Sequence, residues 1–233
     1  MNQPAPHEPQ APAAAPLVLY GHPFSSYTQK VLIALYENAT PFGFRVLGPD
    51  APEHAAAWLA KWPLRQFPLL VDGARDVVET SIIIEYLQLK HPGPMRLIPS
   101  DPVDALDVRF MDRFFDLHVM NAMQLAVNGA LTGDAVKRQD GMALAEEKLK
   151  RAYAWLDTRL AGRTWATGEH FTLADCAAAP SLFYADWTHP IAEQYPVLRA
   201  YRARLLARPS FARAVDEARY FRPYFPLGAP DRD

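Results

Sequence analysis

The chain has 233 residues, with 24 Lys and Arg against 26 Asp and Glu and a formal net charge of −2, so it lacks the basic excess of a nucleic-acid surface. Half of its residues are hydrophobic and 12% are aromatic, which excludes global disorder, and no apolar run approaches the ~20 residues of a membrane span. A single cysteine, Cys176, leaves no internal disulfide and no cysteine zinc cluster, a profile that predicts a reducing, cytoplasmic setting.

Residues 1–16 hold five of the 22 prolines and five alanines. They carry neither the basic start nor the apolar stretch of a secretory signal, and a disordered, polyproline-like tail is predicted there. LVLY (17–20) reads as a short buried strand and GHPFSS as the turn after it. YTQKVLIALYEN places Val31, Ala34 and Leu35 at the spacing of an amphipathic helix. A strand is predicted over 44–47, after a TPFG turn, and a helix from Pro52, a residue favoured in the first helical turn. FPLLV (67–71) and VV (77–78) flank Asp72-Gly73, a hairpin dipeptide, and ETSIIIEYLQLK supplies a third helix. The order is β-α-β-α-β-β-α.

Between His91 and Pro102 stand Pro92, Pro94, Pro99 and Pro102. Residues 92–102 are therefore expected to be a semi-rigid linker between a domain over 17–91 and a second over 103–233. Beyond it no strand pattern appears. VDALDVRFMDRFFDLHVM sets Leu106, Phe110, Phe114 and Leu117 on one face of a long helix. A second helix runs from Ala135 with Gly141 as a weak point, and shorter ones are expected around 173–187, 197–207 and 210–219. The expected fold class is α/β followed by all-α.

Three polar clusters open or flank these elements. Ser25, Ser26 and Tyr27 stand where a strand ends and a helix begins; a hydroxyl there donates to a thiolate or oxyanion, or simply caps the helix. Phe67-Pro68 enters a strand, as an ordinary trans proline at a strand edge or as a cis bond that offers the Phe67 backbone to a peptide-like ligand. Val78-Glu79-Thr80-Ser81 opens the third helix, suiting a carboxylate, with Glu79 able to hold an ammonium group, or acting as a cap. Thr172 and Asp175 form a capping box with a complete folding explanation, and Cys176 beside them is expected to be an inert core thiol. His22, His54 and His118 show no metal-ligand spacing. His118 and Asn121, on the helix after the linker, either face the cleft or take an ordinary place on the helix surface, and the surface is the expectation. The aromatic segment 220–225 fits either a cover over a ligand or a terminal clasp.

Taken in order, these stretches resemble the glutathione S-transferase family. SSYTQKVLIAL is similar to the SSCSxRVRIAL stretch of zeta-like serine-type members, and WPLRQFPLLVD to NPxxQVPxLxxD, with Pro68 at the family's cis-proline. VVETSIIIEYL and GEHFTLADCAAAP resemble two further motifs, and the likeness spans roughly residues 17–220. The resemblance implies a thioredoxin-like glutathione-binding domain followed by a helical domain. It implies Ser25 as the thiol-activating hydroxyl, with Ser26 and Tyr27 lining the same turn. Phe67 and Pro68 would hold the cysteinyl backbone, and Glu79 and Thr80 the γ-glutamyl end. Arg65 and Gln66 are candidates for the glycyl carboxylate, and Tyr20 is a rival to Ser25. Tyr27 stands where the family has a small Cys, and Phe67 where it has Val, which implies a tighter cleft. The implied activity is conjugation or addition of the glutathione thiolate to a small hydrophobic electrophile, without a metal, in a homodimer. Two alternatives are a glutathione-binding protein without turnover and a glutathione-dependent isomerase or dehalogenase. A disulfide reductase would prefer Cys at position 25.

Overall fold

The computed structural model describes residues 17–233; the predicted tail over 1–16 lies outside the described residues. β1 (Leu17–Gly21) runs parallel to β2 (Phe42–Val46) on one side and antiparallel to β3 (Leu69–Asp72) on the other, and β3 turns back into β4 (Arg75–Val77). The sheet order is β2-β1-β3-β4. β2 begins two residues earlier than the turn signal suggested, because Phe42 and Gly43 pair with Leu17 and Val18. In the hairpin, Asp72 pairs with Arg75, so the two-residue loop is Gly73-Ala74, with Gly73 at a φ of 57° that glycine takes without strain.

α1 (Ser26–Glu37) and α3 (Thr80–Lys90) cover the sheet through Val31, Leu32, Leu35, Ile83, Ile84 and Leu87, all buried with Leu17, Leu19 and Leu70 in one core. α2 (Pro52–Lys61) buries Trp58 on the other sheet face, beside Leu47 and Leu69, with Leu59 partly buried against them. Tyr20 is partly buried against that second cluster. Gly21 closes β1 because the chain must turn tightly: a Cβ there would fall 2.7 Å from Thr28 Oγ1.

Residues 91–101 form no helix or strand but are tied down at several points. Leu97 and Ile98 are buried, Gln88 bonds both backbone groups of Ile98, and the Met95 N–H donates to Asn38 Oδ1 at 2.8 Å. The long predicted helix is a rod of α4 (Pro102–Phe114), a π-helical turn (Phe115–Met120) and α5 (Asn121–Leu131). Asp101 caps its start, accepting from the Val103 and Asp104 N–H groups. Its apolar face of Leu106, Phe110 and Leu117 is exposed, while Ala105, Val108, Met111 and Phe115 are buried. The rod carries two apolar faces, and the one of smaller residues packs toward the centre of the bundle.

α6 (Ala135–Arg159) passes through Gly141 without interruption. A Cβ at Gly141 would lie 2.6 Å from the Leu125 carbonyl oxygen, and one at Gly129 2.5 Å from that of Lys137. Gly141 is thus a close-packing point between α5 and α6 rather than a weak one. α7 (Leu173–Thr188) is the central helix, buried from Leu173 to Trp187, and its alanines let α1 and α4 approach. Asp175 accepts from the Thr172 N–H at 2.8 Å, the Ala166 N–H at 2.8 Å and the Tyr201 hydroxyl at 2.6 Å. Burial holds its carboxyl up at about 6 against those donors. Cys176 is fully buried and burial pushes its thiol up, so it is unreactive. α8 (Pro196–Leu206), α9 (Pro209–Ala218) and a 3-10 turn (Arg219–Tyr224) complete the bundle. Arg208 grips the Glu37 carboxylate with two bonds of 2.6 Å, joining α1 to the α8–α9 junction. Among the described residues no helix is long and apolar enough to cross a membrane.

Candidate functional site

The β1–α1 turn is built from its own polar groups. The Ser25 N–H donates to the His22 carbonyl at 2.9 Å, the His22 N–H to Thr28 Oγ1 at 3.3 Å, and the Phe24 N–H to His22 Nδ1 at 3.1 Å. Ser25 is the N-cap of α1, and its Oγ accepts from the Thr28 N–H at 3.3 Å. A hydroxyl that accepts with a lone pair keeps its proton free to donate elsewhere. Capping and donation to a bound anion are therefore compatible in one residue.

Opposite this turn, the Phe67-Pro68 peptide bond is cis. Trp58 Nε1 donates to the Gln66 carbonyl at 3.1 Å and its ring meets Phe67 edge-on, which fixes the approach to Pro68. Among the described residues no hydrogen bond of the fold engages the Phe67 backbone. On the third side Glu79 is the N-cap of α3, exposed and at a φ of 66°, a left-handed conformation costly for a branched-chain or bulky residue and uncommon for any but glycine. Thr80 follows as a buried first helical residue.

Ser25, Tyr27, Phe67, Pro68, Glu79 and Thr80 line one cavity of about 470 Å³. Arg65, Gln66, Trp62 and Val78 share it, and the rod contributes Arg113, Asp116, Leu117 and Asn121. Ser26 lies elsewhere, in the tight seam between α1 and α7 with Lys30 and Pro180. Tyr20 does not line the cavity. Asn121, expected on the helix surface, reaches into it and accepts from the Tyr27 hydroxyl at 3.2 Å, whereas His118 faces a separate groove with Lys148 and Trp155. Arg113 and Asp116 escaped sequence reasoning. The signal was present, since Asp112, Arg113 and Asp116 fall within one helical turn beside apolar positions.

The electrostatics follow from burial. Burial, with Asp116 adding, pushes the Tyr27 phenol up to about 12, so it remains a neutral donor. Burial also raises the Asp116 carboxyl, against the pull of Lys30. Lys30, 1% exposed, reaches Asp112 Oδ1 at 2.6 Å, Asp116 Oδ2 at 2.8 Å and Ser81 Oγ at 3.1 Å, and Ser81 donates to Asp112 Oδ2 at 2.6 Å. This buried knot lies directly behind the cavity, with Asp116 common to both. Among the described residues no group of three or more His, Cys, Asp or Glu is placed to hold a metal. The segment 220–225 stays out of the cavity. Phe225 is buried against Phe24, Tyr184 and Trp187 as a clasp, with Tyr220 and Tyr224 exposed.

Residues 19–95 match the glutathione S-transferase N-terminal domain and residues 135–204 the glutathione S-transferase C-terminal domain. The chain is 31% identical to a glutathione S-transferase from Methylobacterium radiotolerans whose structure is a complex with glutathione sulfonate. That match covers 86% of this chain and 95% of the other, with a TM-score of 0.71. It is 28% identical over 216 residues to a "probable maleylacetoacetate isomerase" of Vibrio cholerae, covering 86% of this chain and 96% of that protein. Glutathione transferase F2 of Populus trichocarpa shares the fold at a TM-score of 0.77 and 20% identity, over 88% of this chain and all of the other.

Proposed function

The chain belongs to the glutathione S-transferase family, and from that premise we propose that it binds glutathione in the 470 Å³ cavity and activates its sulfur with Ser25. The observation that carries this reading is the Ser25 hydroxyl, capping α1 yet free to donate, on the wall of a cavity shared with Pro68, Glu79 and Thr80. Glu79 takes the γ-glutamyl ammonium, and the Thr80 hydroxyl and first-turn N–H groups of α3 take its carboxylate. The Phe67 backbone pairs with the cysteinyl peptide, and Arg65 and Gln66 serve the glycyl carboxylate.

The magnitudes suffice. A free thiol has a pKa of ~8.5 and is only a few per cent thiolate at neutral pH. Lowering it by about two units needs roughly 2.7 kcal/mol of selective stabilisation of the thiolate. A hydrogen bond to a charged acceptor supplies about 1.5–3 kcal/mol and a helix N-terminus about 0.3–1. Ser25 and α1 together meet the requirement. The thiolate then attacks an electrophilic carbon of a small hydrophobic substrate, forming a C–S bond while a leaving group departs or a double bond takes up a proton. The test is the ultraviolet thiolate absorbance of bound glutathione against pH: a midpoint well below that of free glutathione supports the reading, and an unshifted midpoint removes it.

A glutathione-dependent isomerase is the second reading, favoured by the polar wall that the rod presents. Arg113, Asp116 and Asn121 accompany a single apolar residue there, Leu117. Arg113 and Asn121 suit a carbonyl or carboxylate oxygen conjugated to a double bond. In that chemistry the thiolate adds, the new single bond rotates, and the thiolate leaves. Glutathione titre distinguishes the two, because conjugation consumes the thiol and isomerisation returns it.

Glu79→Ala is expected to weaken glutathione binding by about 1.5–3 kcal/mol, the loss of a hydrogen bond between charged groups, and Thr80→Ala by about 1 kcal/mol. Titration calorimetry with unchanged affinity for Glu79→Ala would take Glu79 out of the site. A homodimer is also proposed. Ile82 and Leu89 on α3 and Leu106 and Phe110 on α4 are exposed around the Arg109–Glu85 pair, whose two bonds are 2.8 Å each. Such a contiguous apolar face suits a symmetric interface. Sedimentation equilibrium should give a dimer at micromolar concentration and a monomer for Phe110→Asp; a monomeric parent protein rejects it.

A further inference from the structure

The turn that carries Ser25 is held from behind by groups that do not line the cavity. Tyr184, buried in α7, donates its hydroxyl to the Phe24 carbonyl at 2.9 Å and accepts from Gln29 Nε2 at 3.2 Å. The same nitrogen donates to the Pro23 carbonyl at 3.0 Å. The Gln29 amide is therefore oriented, since a reversed amide would set its oxygen against that carbonyl. Its Oε1 is left without a partner among the described residues, an arrangement that buried amides seldom adopt.

The ring of Tyr184 is backed in turn by the clasp. Phe225 stacks on it with centroids 6.1 Å apart, and meets Phe24 at 6.3 Å and Trp187 at 5.4 Å. Phe221 sets its edge against His22 at 4.5 Å, and Arg222 lies over Trp187. Two consecutive carbonyls before Ser25 are thus pinned by one phenol and one amide. Immediately after Ser25, the Gln29 N–H donates to the Ser25 carbonyl at 2.8 Å.

We propose that Tyr184, backed by Phe225, is a positioning residue for the Ser25 hydroxyl, locking the Pro23 and Phe24 carbonyls so that Ser25 enters α1 with its oxygen on Thr28 and its proton aimed at the bound sulfur. This rests on the role proposed for Ser25. Hydrogen bonds weaken steeply with displacement and misalignment, so a turn freed to shift loses thiolate stabilisation without losing the glutathione contacts made by α3. Tyr184 is suited to a constant hold because burial raises its phenol and keeps it protonated.

The test compares Tyr184→Phe, Phe225→Ala and Phe225→Leu with the parent protein and with Ser25→Ala. Tyr184→Phe keeps the ring and removes the hydroxyl. It is expected to raise the bound thiol's pKa by about half to one unit, a three- to tenfold loss of thiolate below that pKa. Glutathione affinity at a pH where the thiol is neutral should stay within about twofold. Phe225→Ala should move the pKa the same way and Phe225→Leu should restore most of it. A purely structural role would lower the melting temperature of these variants and leave the pKa in place. Unmoved pKa values in Tyr184→Phe and Phe225→Ala, alongside a shift in Ser25→Ala, would overturn the proposal and spare the reading of the site. Hydrogen exchange of the Ser25 and Thr28 amides in protein free of glutathione separates the two further. If the parent protein fails to lower the thiol pKa, the functional reading falls, and faster exchange in Tyr184→Phe sustains the positioning while unchanged exchange sinks it.

Discussion

Ser25→Ala is expected to raise the pKa of bound glutathione by about one to two units, and to cut turnover on an activated aryl halide about ten- to a hundredfold at neutral pH. The sign follows from what the substitution removes. Ser25 Oγ has its lone pair on the Thr28 N–H, so the group lost toward the ligand is a donor, and a donor stabilises only the charged form of the thiol. Loss of the cap costs the helix about 1 kcal/mol as well, which a melting experiment reads separately. Turnover should recover in alkaline buffer, where the thiolate forms unaided, and affinity for the neutral thiol should change little. Ser26→Ala and Tyr20→Phe are the controls. Ser26 faces the α1–α7 seam and Tyr20 packs beside Leu47 and Trp58, so neither should move the pKa. A shift in Tyr20→Phe and none in Ser25→Ala would transfer the role to the tyrosine. A cavity that binds glutathione and leaves its thiol unshifted would make the protein a carrier of the peptide rather than a catalyst.

The strand and helix order was legible because each element carries its own signal: an apolar run bounded by Gly21, a proline at the head of α2, Asp72 and Gly73 at the hairpin. The three polar clusters were legible for a related reason, since each lies at an element boundary where backbone groups are free. What periodicity could not resolve was the facing of the rod. Leu106, Phe110 and Leu117 form as good an apolar stripe as Val108, Met111 and Phe115, and only the packing of α7 decides which is buried. The same ambiguity hid Arg113 and Asp116 and left Asn121 between cleft and surface, since their place at the cavity depends on how the rod crosses α1. Gly141 misled for a different cause. Helix propensity counts its cost, while the benefit lies in another helix, at the Leu125 carbonyl.

Lys30→Met is expected to cost about 3–5 kcal/mol of stability, the largest effect of any single substitution predicted for this chain. Lys30 projects from α1 between Asp112 of α4 and Asp116 of the π turn, with Ser81 of α3 completing the contact, so four elements meet on one ammonium group. Methionine fills similar volume but leaves two buried carboxylates facing each other, with the half-exposed Arg113, 3.5 Å from Asp116, as the one cation beside them among the described residues. Such a site costs far more than an exposed ion pair returns, because water cannot reach it to repay the lost partner. Asp116→Asn should be milder, since Lys30 and Asp112 then remain as a matched pair. The pH dependence gives the sharper test. Burial raises the Asp116 carboxyl in the folded protein, so between the ordinary carboxylate range and that raised value the folded state binds more protons than the unfolded one. Stability from this group therefore falls as pH rises through that window and is level above it. Removing Lys30 takes away the main pull in the other direction and widens the window upward. The deficit of Lys30→Met, read from urea unfolding, should then shrink as pH is lowered from about 8 to about 5, while Asp116→Asn flattens the slope. An equal deficit at both ends of that range would mean that lost packing, and not stranded charge, is what the substitution exposes. Because Asp116 also lines the cavity, the charge that secures the α1–rod junction is the same one that sets the field beside Tyr27 and Asn121.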